Sequence, residues 1–221
     1  MEKKNIGNNI LKLIGYLLLV VIILVAVNTV RNYIIISQIN EKQISLNNCE
    51  NYSYVRESYS SKSDDEKTII EVYYKDGRSM LVNDKTNKII MWHDNDTKEF
   101  IVTIPNELKA IVDTSEFMIG AGKPIVGEIL PFNEKLSVSI FSFITNNEIN
   151  GEKCYCINRG KSNITYISKK DGIPLKEISG YSIIDGKKYN TITEIKNWKT
   201  NELSDEDMSR PNLTGYEITK K

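Results

Sequence analysis

The chain has 221 residues, 40% of them hydrophobic, and its 29 basic and 29 acidic side chains leave no formal net charge. That balance excludes the basic footprint of a nucleic-acid binder, while the length leaves room for one domain with a real core. Three cysteines, Cys49, Cys154 and Cys156, are too few for a disulfide scaffold, and the odd number leaves at least one thiol unpaired in a monomer.

Residues 13–27, LIGYLLLVVIILVAV, carry no charge and are mostly apolar. Widened to residues 10–30, the stretch is close to the ~20 residues that cross a ~30 Å hydrocarbon core as a helix. Its only charge, Lys12, lies one turn from the end, where a lysine stem reaches the headgroups. Lys3, Lys4 and Lys12 precede the span and Arg31 alone follows closely. The excess of positive charge before the span makes residues 1–9 a cytoplasmic tail and places the remainder outside the cell membrane. A cleaved signal peptide wants small residues at the cut, and Leu24-Val25-Ala26 and Val25-Ala26-Val27 fit that poorly. An uncleaved single-pass anchor is therefore expected.

Residues 31–48 read as a juxtamembrane helix, either the anchor continued or a separate piece packed on the domain. Ile35, Ile39 and Lys42 or Gln43 fall at helical spacing, and Asn47-Asn48 ends the run. Residues 49–221 form the extracytoplasmic domain. Strand-like segments at 52–60, 68–75, 78–83, 88–93 and 97–104 alternate with turn signals, among them Asp76-Gly77. Pro105 breaks this meander. Residues 107–120 read as a helix capped by Asn106, with Leu108, Ile111 and Val112 on one side, and residues 125–130 as a shorter one ended by Pro131. Further strands are predicted at 135–145, 152–158, 162–168, 173–179, 181–184 and 188–198. The fold class is mainly β (α+β), an antiparallel sheet of about 10–11 strands with a helical insertion.

Chemistry-bearing motifs are scarce. Gly120-Ala121-Gly122-Lys123 lacks the Walker pattern, because Phe117 and Pro124 stand where glycine and Ser or Thr are needed. His93, the single histidine, has no nucleophile elbow to serve and reads as an edge or turn residue. Asp64-Asp65-Glu66 and Asp205-Glu206-Asp207 lack the form of a calcium loop, and the second reads as a helix start capped by Ser204. Cys154 and Cys156 share one strand face and are too near for an easy disulfide. Either Cys49 pairs with one of them or all three are small buried hydrophobes. No catalytic residue, metal ligand or cofactor is assigned, and the chain is expected not to be an enzyme.

The ordered motifs Asn51-Tyr52-Ser53-Tyr54, Lys75-Asp76-Gly77, Ile90-Met91-Trp92, Tyr166-Ile167-Ser168, Lys170-Asp171-Gly172-Ile173-Pro174 and Ile195-Lys196-Asn197-Trp198 resemble the bacterial outer-membrane lipoprotein carrier (LolA-like) family over residues 33–218. The resemblance implies an open half-barrel with lid or plug helices over an apolar cavity for acyl chains. By strand alternation, Val72, Tyr74, Met80, Met91, Val102, Ile111, Val138 and Ile140 are the candidate liners. The family's cavity arginine is not mapped onto a residue of this sequence, and a tether at residues 13–27 is at odds with shuttling between membranes. The expected role is a membrane-anchored binding protein for a lipid or lipoprotein acyl chain. The alternative is an interaction or envelope-sensor domain with a filled core and a protein partner.

Overall fold

The computed structural model describes residues 2–83, 88–114, 127–160, 162–184 and 186–221. Helix α1 (Glu2–Asn47) runs 46 residues without a break. No proline interrupts it, and β-branched residues in its middle fit a helix that has no aqueous alternative. Among the described residues it is the one helix long and apolar enough to cross a membrane. Its two halves differ in surroundings. Residues 11–27 are exposed throughout, whereas Asn32, Ile35, Ile36, Ile39, Asn40, Gln43 and Leu46 form one buried stripe at helical spacing. The apolar stretch and the helix expected after it are thus one element.

Among the described residues, twelve strands form a single open sheet. They are β1 (Asn51–Ser60), β2 (Ser63–Lys75), β3 (Arg78–Asn83), β4 (Ile89–Asp94), β5 (Glu99–Ile104), β6 (Lys109–Asp113), β7 (Phe143–Ile149), β8 (Glu152–Asn158), β9 (Asn163–Ser168), β10 (Pro174–Ile184), β11 (Lys187–Thr200) and β12 (Glu217–Lys220). Their spatial order is β12-β6-β5-β4-β3-β2-β1-β11-β10-β9-β8-β7. All neighbours are antiparallel except β12, which lies parallel to β6. The mainly β expectation holds. The sequence falls one or two strands short because residues 109–113 and 217–220 were not assigned to strands.

Three segments depart from expectation. Residues 109–113 are strand, not helix: Leu108 turns left-handed at φ 51°, and Ala110, Ile111 and Val112 then pair with β5. Conversely, α2 (Phe132–Phe141) is a helix where strand was expected over 135–145. Pro131 sits at its N-cap, Val138 and Ser139 face inward, and Phe132, Leu136 and Ile140 follow one another at i+4 on the outside. Residues 127–130 run extended beside α1 rather than as a helix, and residues 115–126 lie outside the described residues.

The core is where α1 meets the far half of the sheet. Ile35, Ile36 and Ile39 pack with Leu130, Val138, Ile144, Ile157 and Ile167. Amides fix the docking. Asn40 Nδ2 donates to Leu130 O at 2.7 Å while Leu130 N donates back to Asn40 Oδ1 at 3.3 Å. Asn32 Nδ2 donates to Ser139 O and Ser142 O, both at 3.1 Å. Lys42 Nζ reaches Lys169 O. The opposite face of the sheet is covered by the segment after β11. Met208 is fully buried there and its carbonyl accepts from Trp92 Nε1 at 3.1 Å. Arg210 grips Glu99 with two bonds of 2.7 Å.

Candidate functional site

A cavity of about 700 Å³ lies between α1 and the inner face of the sheet. Ile36 and Ile39 hang from α1, Ile157, Ile167 and Ile195 rise from β8, β9 and β11, and Tyr54 supplies a ring from β1. Strand alternation explains this set, because Ile157, Ile167 and Ile195 all sit at positions turned to the helix. Polar groups rim the space: Gln43 and Asn47 at one end, Arg159 and Asn163 at the other, and Arg56 and Glu177 on the sheet. Such a lining suits an amphiphile, with apolar walls for a chain and charged groups at the edge.

From Tyr54 an apolar row continues across the sheet. Tyr54 pairs with Val72, Val72 with Leu81, Leu81 with Met91, Met91 with Val102 and Val102 with Ile111. Five interstrand steps of ~4.8 Å make the row roughly 24 Å long. Tyr54 and Val72 are buried, while Leu81, Met91, Val102 and Ile111 are half-buried.

The structure brings four of the eight expected liners, Val72, Met91, Val102 and Ile111, into that row. Tyr74 lies one position along, in a buried stack of rings. Tyr52 stacks on Tyr74 at 5.2 Å and on Trp198 at 5.1 Å, and Tyr54 on Trp198 at 5.5 Å. Met80 is on the other face, paired with Trp92 and Tyr73, because the two-residue turn at Asp76-Gly77 sets Lys75 opposite Arg78 and so turns Leu81 inward. Val138 and Ile140 are on α2, not on a strand. Val138 is buried against α1 and Ile140 is 42% exposed. None of the eight lines the cavity itself.

Sequence reasoning missed Ile36, Asn40, Ile157, Ile167, Ile195 and Arg56. The α1 residues were findable, since Asn32, Ile36, Asn40 and Gln43 share one helical stripe with Ile35 and Ile39. The strand residues depend on long-range pairing that a local pattern does not carry.

Electrostatics follow burial. Burial pushes the Tyr52 phenol far above its usual range, and the neighbouring Tyr54 and Tyr74 push it further. Tyr74 is pushed up to about 12 by burial and by its hydrogen bond to Glu50. Tyr54 is raised by burial and drawn back by Arg56. His93 lies inside β4 between Ser79 and Phe100, not at an edge. Burial lowers its affinity for a proton and Asp94 partly restores it. Cys49, Cys154 and Cys156 are all free, and Cys154 and Cys156 are buried. No group of three His, Cys, Asp or Glu placed to hold a metal occurs among the described residues.

No protein-family model matches the chain, and no curated protein matches it. Solved structures do. A DUF1329 family protein from Desulfovibrio piger aligns at TM-score 0.34 and 11% identity, over 82% of this chain and 97% of that one. A LolA superfamily protein from Nitrosomonas europaea aligns at 0.32 and 10%, over 79% and 97%. A proposed outer membrane lipoprotein-sorting protein domain from Vibrio parahaemolyticus aligns at 0.29 and 9%, over 77% and 94%. LolA superfamily proteins thus stand among the structural neighbours. At these scores the likeness adds nothing about the site, whose reading rests on the geometry above.

Proposed function

We propose that the chain is a membrane-anchored, non-catalytic binding protein that holds an acyl chain of a lipid or lipoprotein between α1 and the sheet, on the outer side of the cell membrane. The observation that carries this reading is the isoleucine-walled cavity under α1, continued by the apolar row from Tyr54 to Ile111. The cavity follows α1 from Ile36 to Asn47, about 16 Å of helix rise. Its Arg159 end is the membrane-proximal one. Asn158 pairs with Phe143, next to Ser142, whose carbonyl accepts from Asn32. A chain leaving the bilayer beside α1 meets that end first. Arg159 then stands where a phosphate or carboxyl headgroup stops.

The test is to express residues 28–221 without detergent and extract the purified protein for lipid mass spectrometry. A stoichiometric acyl-bearing species, lost on Ile195→Lys, is the expected result. A folded protein that is lipid-free and ignores added lipid overturns the proposal and leaves the domain as a protein-interaction module.

A further inference from the structure

We infer that α2 is an interfacial helix, seated in the headgroup layer of the same leaflet from which α1 emerges, so that the protein touches its membrane twice. This rests on the reading of α1 as an anchor.

Position along α1 gives the depth. The expected span ends at residue 30. Asn32, two residues on, holds Ser139 O and Ser142 O, and Arg31 Nη1 reaches Ile144 O at 3.4 Å. At the other end of α2, the Phe132 ring meets Tyr33 edge-on, with centroids 6.3 Å apart. Both ends of α2 therefore meet α1 within Arg31, Asn32 and Tyr33, about 3 Å of rise, although a ten-residue helix is about 15 Å long. So α2 lies across α1, at the level where the span leaves the hydrocarbon, and across a spanning helix means along the membrane plane.

Composition gives the occupant. Val138 and Ser139 face the core, and the solvent side carries large apolar side chains that water does not favour. Phe132 is 67% exposed, Phe141 79%, and Phe143 just beyond the helix 67%, with Leu136 and Ile140 between them. Val30, on α1 at the same level, is 61% exposed. Residues 11–27, just before it on α1, are exposed and mostly apolar, the surface that a bilayer would cover. The only charges on α2 are Glu134 and Lys135, and Lys135 turns back over the Tyr33 ring at 5.7 Å. A lipid surface is thus the partner that fits, binding by apolar insertion rather than by charge.

The full chain is reconstituted in phosphatidylcholine/phosphatidylglycerol vesicles with and without chain-brominated lipid, and tryptophan emission is read. Wild type sets the background, since Trp92 and Trp198 lie in the domain. Leu136→Trp and Phe141→Trp, both on the exposed face, report α2 independently, and Leu18→Trp reports the span. Added emission that falls about two-fold or more with brominated lipid at position 18 and at 136 or 141 is expected for an inserted helix. Quenching at 18 with 136 and 141 at background overturns the inference and leaves the anchor standing, and the same result with a dimer in detergent assigns the face to a second copy. No quenching at any position overturns the anchor reading and this inference with it.

Discussion

Gly172 sits where the β9–β10 turn passes under α1. Its φ of +83° is a conformation that side chains resist, and a Cβ there would stand 2.7 Å from Lys42 Cβ. Gly151 shares the backbone strain, at φ +82°, and has open space around it. Gly151→Ala should therefore lose about 1–2 kcal/mol, from strain alone. Gly172→Ala should lose more, the excess measuring how firmly α1 is held to the sheet. Paired urea melts of the two variants check this. The tyrosine stack makes a second prediction. Within it, Tyr74 is held protonated to about 12, chiefly by burial. A phenol whose folded pKa lies above its unfolded value near 10 adds stability that is complete below pH ~10 and disappears as the pH rises through the folded value. In an alkaline titration followed by phenolate absorbance, the stacked tyrosines should ionise in a late wave that coincides with loss of near-UV dichroism. One wave with structure intact would contradict the stack.

At the scale of elements, the decisive contacts are amides that no hydrophobic pattern reveals. Asn40 mimics a strand neighbour for Leu130, giving and taking one bond each. Asn40→Ala leaves a buried N–H and C=O unpartnered and should cost about 2 kcal/mol, lowering Tm by roughly 4–8 °C. Asn40→Asp keeps the acceptor, loses the donor and buries a charge, and should be worse than alanine. Differential scanning calorimetry ranks the pair. The strands were legible wherever alternation and turn residues agreed, as from Thr68 through Asp76-Gly77 to Asn83. Even there the register was not. Counting two turn residues back from Asp76-Gly77 puts Leu81, not Met80, beside Val72, and that single parity step moves a candidate liner to the other face. The α2 segment was misread for a related reason. Leu136, Val138 and Ile140 alternate like a strand, and only the i+4 spacing of Phe132, Leu136 and Ile140 together with Pro131 tells for the helix. Lys109–Asp113 shows the reverse case: a short apolar run with helix-compatible spacing was captured by the free edge of β5.

Across the whole molecule, the apolar stretch and the domain share α1, so removing one is not the same as removing the other. A chain beginning at residue 28 keeps the stripe from Asn32 to Leu46 and should fold, soluble and cooperative. A chain beginning at residue 48 loses Ile35, Ile36 and Ile39 from the core and should not, even though every strand remains. Circular dichroism and the sharpness of the urea transition separate the two outcomes. The legible part at this scale is the long apolar helix and the β-rich class, both of which are written in composition and order. The cavity was not legible, because its walls come from α1 and from β1, β8, β9 and β11, which meet only after the sheet has closed its long-range pairs.

The absence of any break in α1 from Glu2 to Asn47 has a mechanical meaning. A flexible tether lets a domain tumble and sample every orientation, but a rigid shaft passes the tilt of the bilayer directly to its load. With residues 10–30 in the bilayer as proposed, a domain on such a shaft would keep one free rotation, about the membrane normal, and its cavity mouth would stay at a constant height above the lipid. Its encounters then become a two-dimensional search at fixed altitude. A glycine pair inserted after Asn47 would leave that shaft intact, whereas the same pair inserted at Asn28 would turn it into a swivel.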